Sequence, residues 1–153
     1  MTFRVRAIPA DHLDRVRTVG RDDLGNELHP GPAAGGEQLR CCLRSAEPGE
    51  PFVLIGYRPS DLGGPYAETG PVFVHAEPCP GYETPWAYPA SFRTRHQVFR
   101  AYGPDGRIVD AEVVAGADAE AAIGRLLARP EVDRIDCRNV AYGCYTFRVQ
   151  RAT

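Results

Sequence analysis

The sequence predicts an α+β domain: an antiparallel sheet of about six to eight strands, one or two helices on one face, and long Gly/Pro-rich loops. Three observations carry that expectation. Period-two alternation recurs along the chain, and a single segment from Asp118 to Leu127 shows clear helical spacing. Glycine and proline number 16 and 14 among 153 residues, which favours turns and disfavours a helix bundle. With 43% hydrophobic and 25% charged residues, the chain reads as one globular domain over 1–153, not as a disordered, collagen-like or membrane-spanning chain.

Each element follows from local pattern. From Thr2 to Ile8, Phe3, Val5 and Ala7 alternate with Arg4 and Arg6 as in a half-buried strand. Asp11 is placed to cap a short helix carrying Leu13 and Val16, which stops by Gly20. The acidic, Gly/Pro-rich run 21–37 has neither period and reads as an exposed loop with a solvated His29. Gln38 to Arg44 alternates again, placing Leu39, Cys41 and Leu43 on one face and Arg40, Cys42 and Arg44 on the other. The adjacent cysteines are thus expected to point opposite ways.

Phe52 to Tyr57 reads as a buried central strand, and 58–70 as a long glycine-rich connection. In Pro71 to Ala76, Phe73 and His75 share one side and Val72 and Val74 the other. The loop 78–89 carries Tyr82, Trp86 and Tyr88, with Phe92 just beyond, and such aromatic density predicts folding over another surface. Gly103-Pro104-Asp105-Gly106 joins two strands as a β-hairpin. Asp118 is a candidate N-cap for a helix burying Ala119, Ala122, Ile123, Leu126 and Leu127, ended by Pro130. Segments 132–139 and 144–151 close the fold as paired strands, with Ile135, Cys137, Tyr145, Phe147 and Val149 inward.

Charge and cysteine content restrict the functional classes. All eighteen basic residues are Arg, so no Schiff-base lysine exists. A formal charge of -2 with no arginine-dense arm speaks against nucleic acid. The N-terminus shows neither a secretory h-region nor a membrane span, so a cytoplasmic location is expected, without membrane partners. Five cysteines, an odd count, suggest reduced thiols.

Period two gathers Arg40, Cys42, Arg44, His96, Arg100, Asp110, Glu112, Cys144, Thr146 and Arg148 opposite the apolar residues of their strands. The plain reading is a solvated sheet with cross-strand ion pairs. The functional reading is an anionic small molecule in a pocket between sheet and loops, with Arg40, Arg100 and Arg148 holding charge and Asp110 and Asn139 as further contacts. His75 would transfer protons, and Cys79 would pair with it as a nucleophile, if the protein is an enzyme. His75 and Cys79 also offer two soft donors four positions apart, which Cys42 and Cys144 could complete as a tetrahedral zinc site. No CxxC pair exists and Cys41 and Cys137 read as core, so no residue is assigned to a metal. No cofactor is expected either: the glycines from Gly63 to Gly70 lack the lysine and helix of a P-loop. An interaction module using a sheet edge or the aromatic loop, with a homodimer among its forms, is the alternative of a different class.

The segments GPVFVHAEPC (70–79), FRAYGPDGRIVDAEVVAG (99–116) and NVAYGCYTFRVQR (139–151), with RCCLR and EPGEP upstream, resemble the bacterial family called domain of unknown function 1203. The resemblance implies a small stand-alone bacterial protein and supplies no catalytic residue. Its motifs hold Arg40, Cys42, His75, Cys79, Arg100, Asp110, Asn139 and Cys144, which supports a shared pocket.

Overall fold

In a computed structural model that describes residues 2–59 and 62–153, ten strands divide between two five-stranded sheets. The first runs β1-β10-β9-β7-β8 and is antiparallel throughout: β1 Phe3–Arg6, β7 His96–Tyr102, β8 Ile108–Ala115, β9 Arg134–Asn139 and β10 Tyr145–Arg151. The second runs β2-β5-β6-β3-β4: β2 Gly31–Pro32, β3 Gln38–Leu39, β4 Arg44–Ser45, β5 Pro51–Tyr57 and β6 Gly70–His75. With helices α1 Ala10–Val19 and α2 Ala119–Leu127, this is the α+β architecture that the alternation implies. Among the described residues, no helix is long and apolar enough to cross a membrane.

Helix α2 buries Ala119, Ala122, Ile123, Leu126 and Leu127 against Phe99, Ile135, Cys137, Phe147 and Val149 of the first sheet. Asp118 makes no side-chain cap; the helix grows instead from the 3-10 turn Gly116–Asp118. Gly116 is required there, because a Cβ would lie 2.3 Å from the Arg93 carbonyl oxygen. Helix α1 likewise begins behind Pro9, and Asp11 sits inside its first turn, where its charge favours the helix N-terminus. Gly20, at φ 75°, closes α1 by donating its N–H to the Val16 carbonyl at 2.8 Å.

Two departures from alternation shape the molecule. A bulge between Tyr145 and Phe147 sends these side chains into different cores. Phe147 packs with Tyr88 and Phe92 of the aromatic loop, whereas Tyr145 meets Tyr57 at a ring distance of 5.6 Å in the second core. The aromatic loop therefore does fold back through Tyr88, although Trp86 stays 70% exposed. The second departure is at residues 40–43, which turn instead of extending β3, with Leu43 at φ 63°.

Candidate metal centre

That turn creates the site. Strand β3 pairs parallel with β6 at Leu39↔Phe73, and the Arg40 N–H donates to the Phe73 carbonyl at 2.8 Å. Two residues further on, Cys41 reaches the end of β6, where the His75 N–H points at its sulfur at 3.3 Å. The chain bends at once, so Cys42 also faces His75 instead of the opposite side, and the connection after β6 returns Cys79 to the same place. Cys41 Sγ and Cys42 Sγ lie 3.2 and 3.8 Å from His75 Nδ1. The ligand atoms of Cys41, Cys42, His75 and Cys79 all lie within 4.8 Å of one another.

A tetrahedral Zn²⁺ with bonds of about 2.3 Å to sulfur and about 2.0 Å to nitrogen needs donor atoms about 3.5–3.8 Å apart. The two thiol–imidazole distances, 3.2 and 3.8 Å, bracket that spacing, and no pair of the four donor atoms exceeds 4.8 Å. The other ring nitrogen, His75 Nε2, lies 2.7 Å from Glu50 Oε2. Glu50 accepts two hydrogen bonds from Arg44, at 2.9 and 2.6 Å, and one from the Glu47 N–H. A carboxylate so placed accepts the Nε2 proton and leaves the Nδ1 lone pair turned toward the thiols, the arrangement found behind metal-bound histidines. The Arg44 guanidinium holds the Glu50 carboxyl well below the usual carboxylate range, helped by the Glu47 N–H and His75.

The two adjacent thiols are unequal. A hydrogen bond from the Cys41 thiol lowers the pKa of Cys42, with help from the Arg44 N–H and nearby positive charge. Cys41, the donor in that pair and buried, is pushed up. Cys42, Arg44, His75, Cys79 and Tyr82 line an open cavity of about 610 Å³. Cys41 faces a second cleft of about 400 Å³ on the other side of the 78–82 segment.

The remaining site candidates lie elsewhere. Arg100 pairs with Glu68 at 3.1 Å, and Arg148 grips Asp136 through two hydrogen bonds of 2.7 and 3.1 Å. Asp110 pairs with Arg129 at 2.7 Å, as the solvated-sheet reading expects. Asn139, the last residue of β9, bridges Gln97 and Gln38. Arg40 is buried and bonds backbone carbonyls. Cys144 lines a cavity with Arg40 and Asn139, away from the other thiols, so its place in the four-donor set belongs to Cys41. Alternation misplaced Cys41 because it ran β3 on to Arg44. Glu50 and Arg44 were also missed as the histidine's support, although both stand in the short motifs RCCLR and EPGEP.

The family described as "Protein of unknown function (DUF1203)" matches residues 36–151. The chain belongs to this family. The DUF1203 match contains all four donors together with Arg44 and Glu50. No curated protein and no solved structure matches the chain.

Proposed function

We propose that the protein binds one Zn²⁺-class ion through Cys41 Sγ, Cys42 Sγ, Cys79 Sγ and His75 Nδ1. The observation that supports this most is the convergence of four N and S donors within 4.8 Å, with the histidine already held by Glu50 at 2.7 Å. Three thiolates and a neutral imidazole suit a soft or borderline cation and not Mg²⁺ or Ca²⁺. Four protein donors fill a tetrahedral shell, so the ion fastens the 40–43 turn and the 76–81 segment to the end of β6 instead of activating a water. The guanidiniums of Arg44 and Arg17, the latter donating to the His75 carbonyl at 3.0 Å, offset the excess thiolate charge.

A second reading, nucleophilic catalysis by Cys42 with His75 as base and Glu50 as orienter, is favoured by the lowered Cys42 pKa and its place on the cavity wall. An anion held jointly by Arg40, Arg100 and Arg148 has less support, because Arg100 and Arg148 are already matched by carboxylates.

Native mass spectrometry of protein purified with zinc tests the leading reading. One ion per chain is expected, lost on Cys79→Ser or His75→Ala and kept on Cys144→Ser. A metal-free wild type whose Cys42 is alkylated faster than its other thiols would favour the nucleophile instead.

A further inference from the structure

Arg40 presents a problem that the metal centre does not solve. It is 3% exposed, yet among the described residues no carboxylate lies within 4.0 Å of its guanidinium. On the first sheet, by contrast, Arg134 and Arg148 both adjoin Asp136, and Arg138 reaches Glu68 at 2.6 Å. Arg40 has backbone carbonyls alone: Nε donates to Tyr145 at 2.8 Å and Nη1 to Gln38 at 2.6 Å. A guanidinium carries five N–H donors, so these two bonds leave most of its capacity open. Burial lowers its pKa to about 10, countered in part by nearby Cys144 and Tyr145. The group stays cationic at neutral pH, and a buried cation without a counter-charge is costly.

Beside it lies a cavity of about 490 Å³, within the range of small-molecule sites. Leu54, Pro71, Phe73 and Tyr142 supply apolar walls, and Asn139 and Cys144 flank the arginine. Glu37, the one carboxylate on this wall, is already engaged, accepting the N–H groups of Ala34 and Gly35 at 2.9 and 2.8 Å. Strand pairing explains the placement: β3 brings Arg40 to the edge of β6, while the end of β9 brings Asn139 against Gln38.

We infer that this cavity binds a small monocarboxylate with an apolar body, its carboxylate against the Arg40 guanidinium and its body along Leu54, Phe73 and Tyr142. One guanidinium matches one carboxylate, whereas a phosphate dianion asks for more positive charge than the walls carry. The cavity shares no lining residue with the four donors of the Cys/His cluster, although Arg40 directly precedes Cys41.

The test uses zinc-loaded, full-length protein and two probes, hexanoate and phenylacetate, each against its neutral amide. Titration is followed by amide NMR shifts. Saturable shifts at Leu54, Phe73, Asn139 and Cys144 are expected from both acids, with the amides weaker by about tenfold or more. Arg40→Met should abolish the preference for acid over amide. Because that variant disturbs a buried residue, Leu54→Glu serves beside it: Leu54 is exposed at the cavity wall, and a carboxylate there should weaken both acids by about tenfold. Absence of shifts at about 10 mM probe, where a millimolar Kd would be near saturation, would overturn the inference. So would amides that bind as tightly as the acids, or acid binding that survives both substitutions.

Discussion

The two sheets have the same number of strands and are held in different ways. In the first, the strands are four to eight residues long and close on an aromatic and aliphatic core in which Phe99, Ile123, Leu127 and Phe147 have no exposure. In the second, β2, β3 and β4 are two residues each, too short to stabilise a ladder by themselves. Side-chain fixings do the work there. Asp22 accepts N–H groups from Leu24, Asn26 and Gly56, Glu37 accepts those of Ala34 and Gly35, and the Cys/His cluster joins the 40–43 turn to β6. The contrast shows that polar side-chain fixings take over where a strand is too short to bury much apolar surface.

The largest effect that sharpens the contrast belongs to the first sheet. Phe147→Ala removes a fully buried ring and should cost about 3–5 kcal/mol, read as a lowered urea midpoint, while bound metal stays at the wild-type level. Loss of metal in that variant would mean that the two regions do not hold independently. Chelation should act in the reverse sense. Removing an ion present at a hundredfold its Kd costs about 2.7 kcal/mol, or roughly 5–10 °C in Tm. Hydrogen exchange should then quicken at residues 38–45 and 72–79 and stay unchanged in β9 and β10.

Asp22→Asn gives a smaller change of about 1–3 kcal/mol, since the charge-assisted bonds to Gly56 and Asn26 weaken. Burial pushes this carboxyl up, but the N–H groups of Gly56, Asn26 and Leu24 outweigh it and hold its pKa below the ordinary value. The folded pKa lies below the unfolded one, so its contribution is complete above about pH 4 and fades as pH falls through the folded value. Urea midpoints taken between neutral and acid pH should therefore converge for wild type and variant at the acid end; a gap that persists there would show that Asp22 acts through shape and not through charge.

Legibility in the sequence follows the same divide. The β7–β8 hairpin and α2 were readable because Gly103–Gly106 and the spacing of Ala119 to Leu127 are local signals. Strand β10 was readable except at its bulge, since an extra residue leaves no mark in an alternating pattern. The donors His75, Cys79 and Cys42 were visible as residue types. Cys41 was not, because the chain leaves β3 after Leu39 in a turn that passes through a left-handed Leu43, and no glycine announces it. The partners Glu68 of Arg100 and Asp136 of Arg148 come from loop packing and cross-strand register, which residue spacing does not carry.

X-ray absorption at the zinc edge of the loaded protein tests the central claim most directly. The account expects one zinc shell of three sulfurs at about 2.3 Å and one nitrogen at about 2.0 Å, falling to two sulfurs in Cys41→Ser. A shell of oxygen and nitrogen donors, or a Cys41→Ser spectrum identical to that of the wild type, would contradict it.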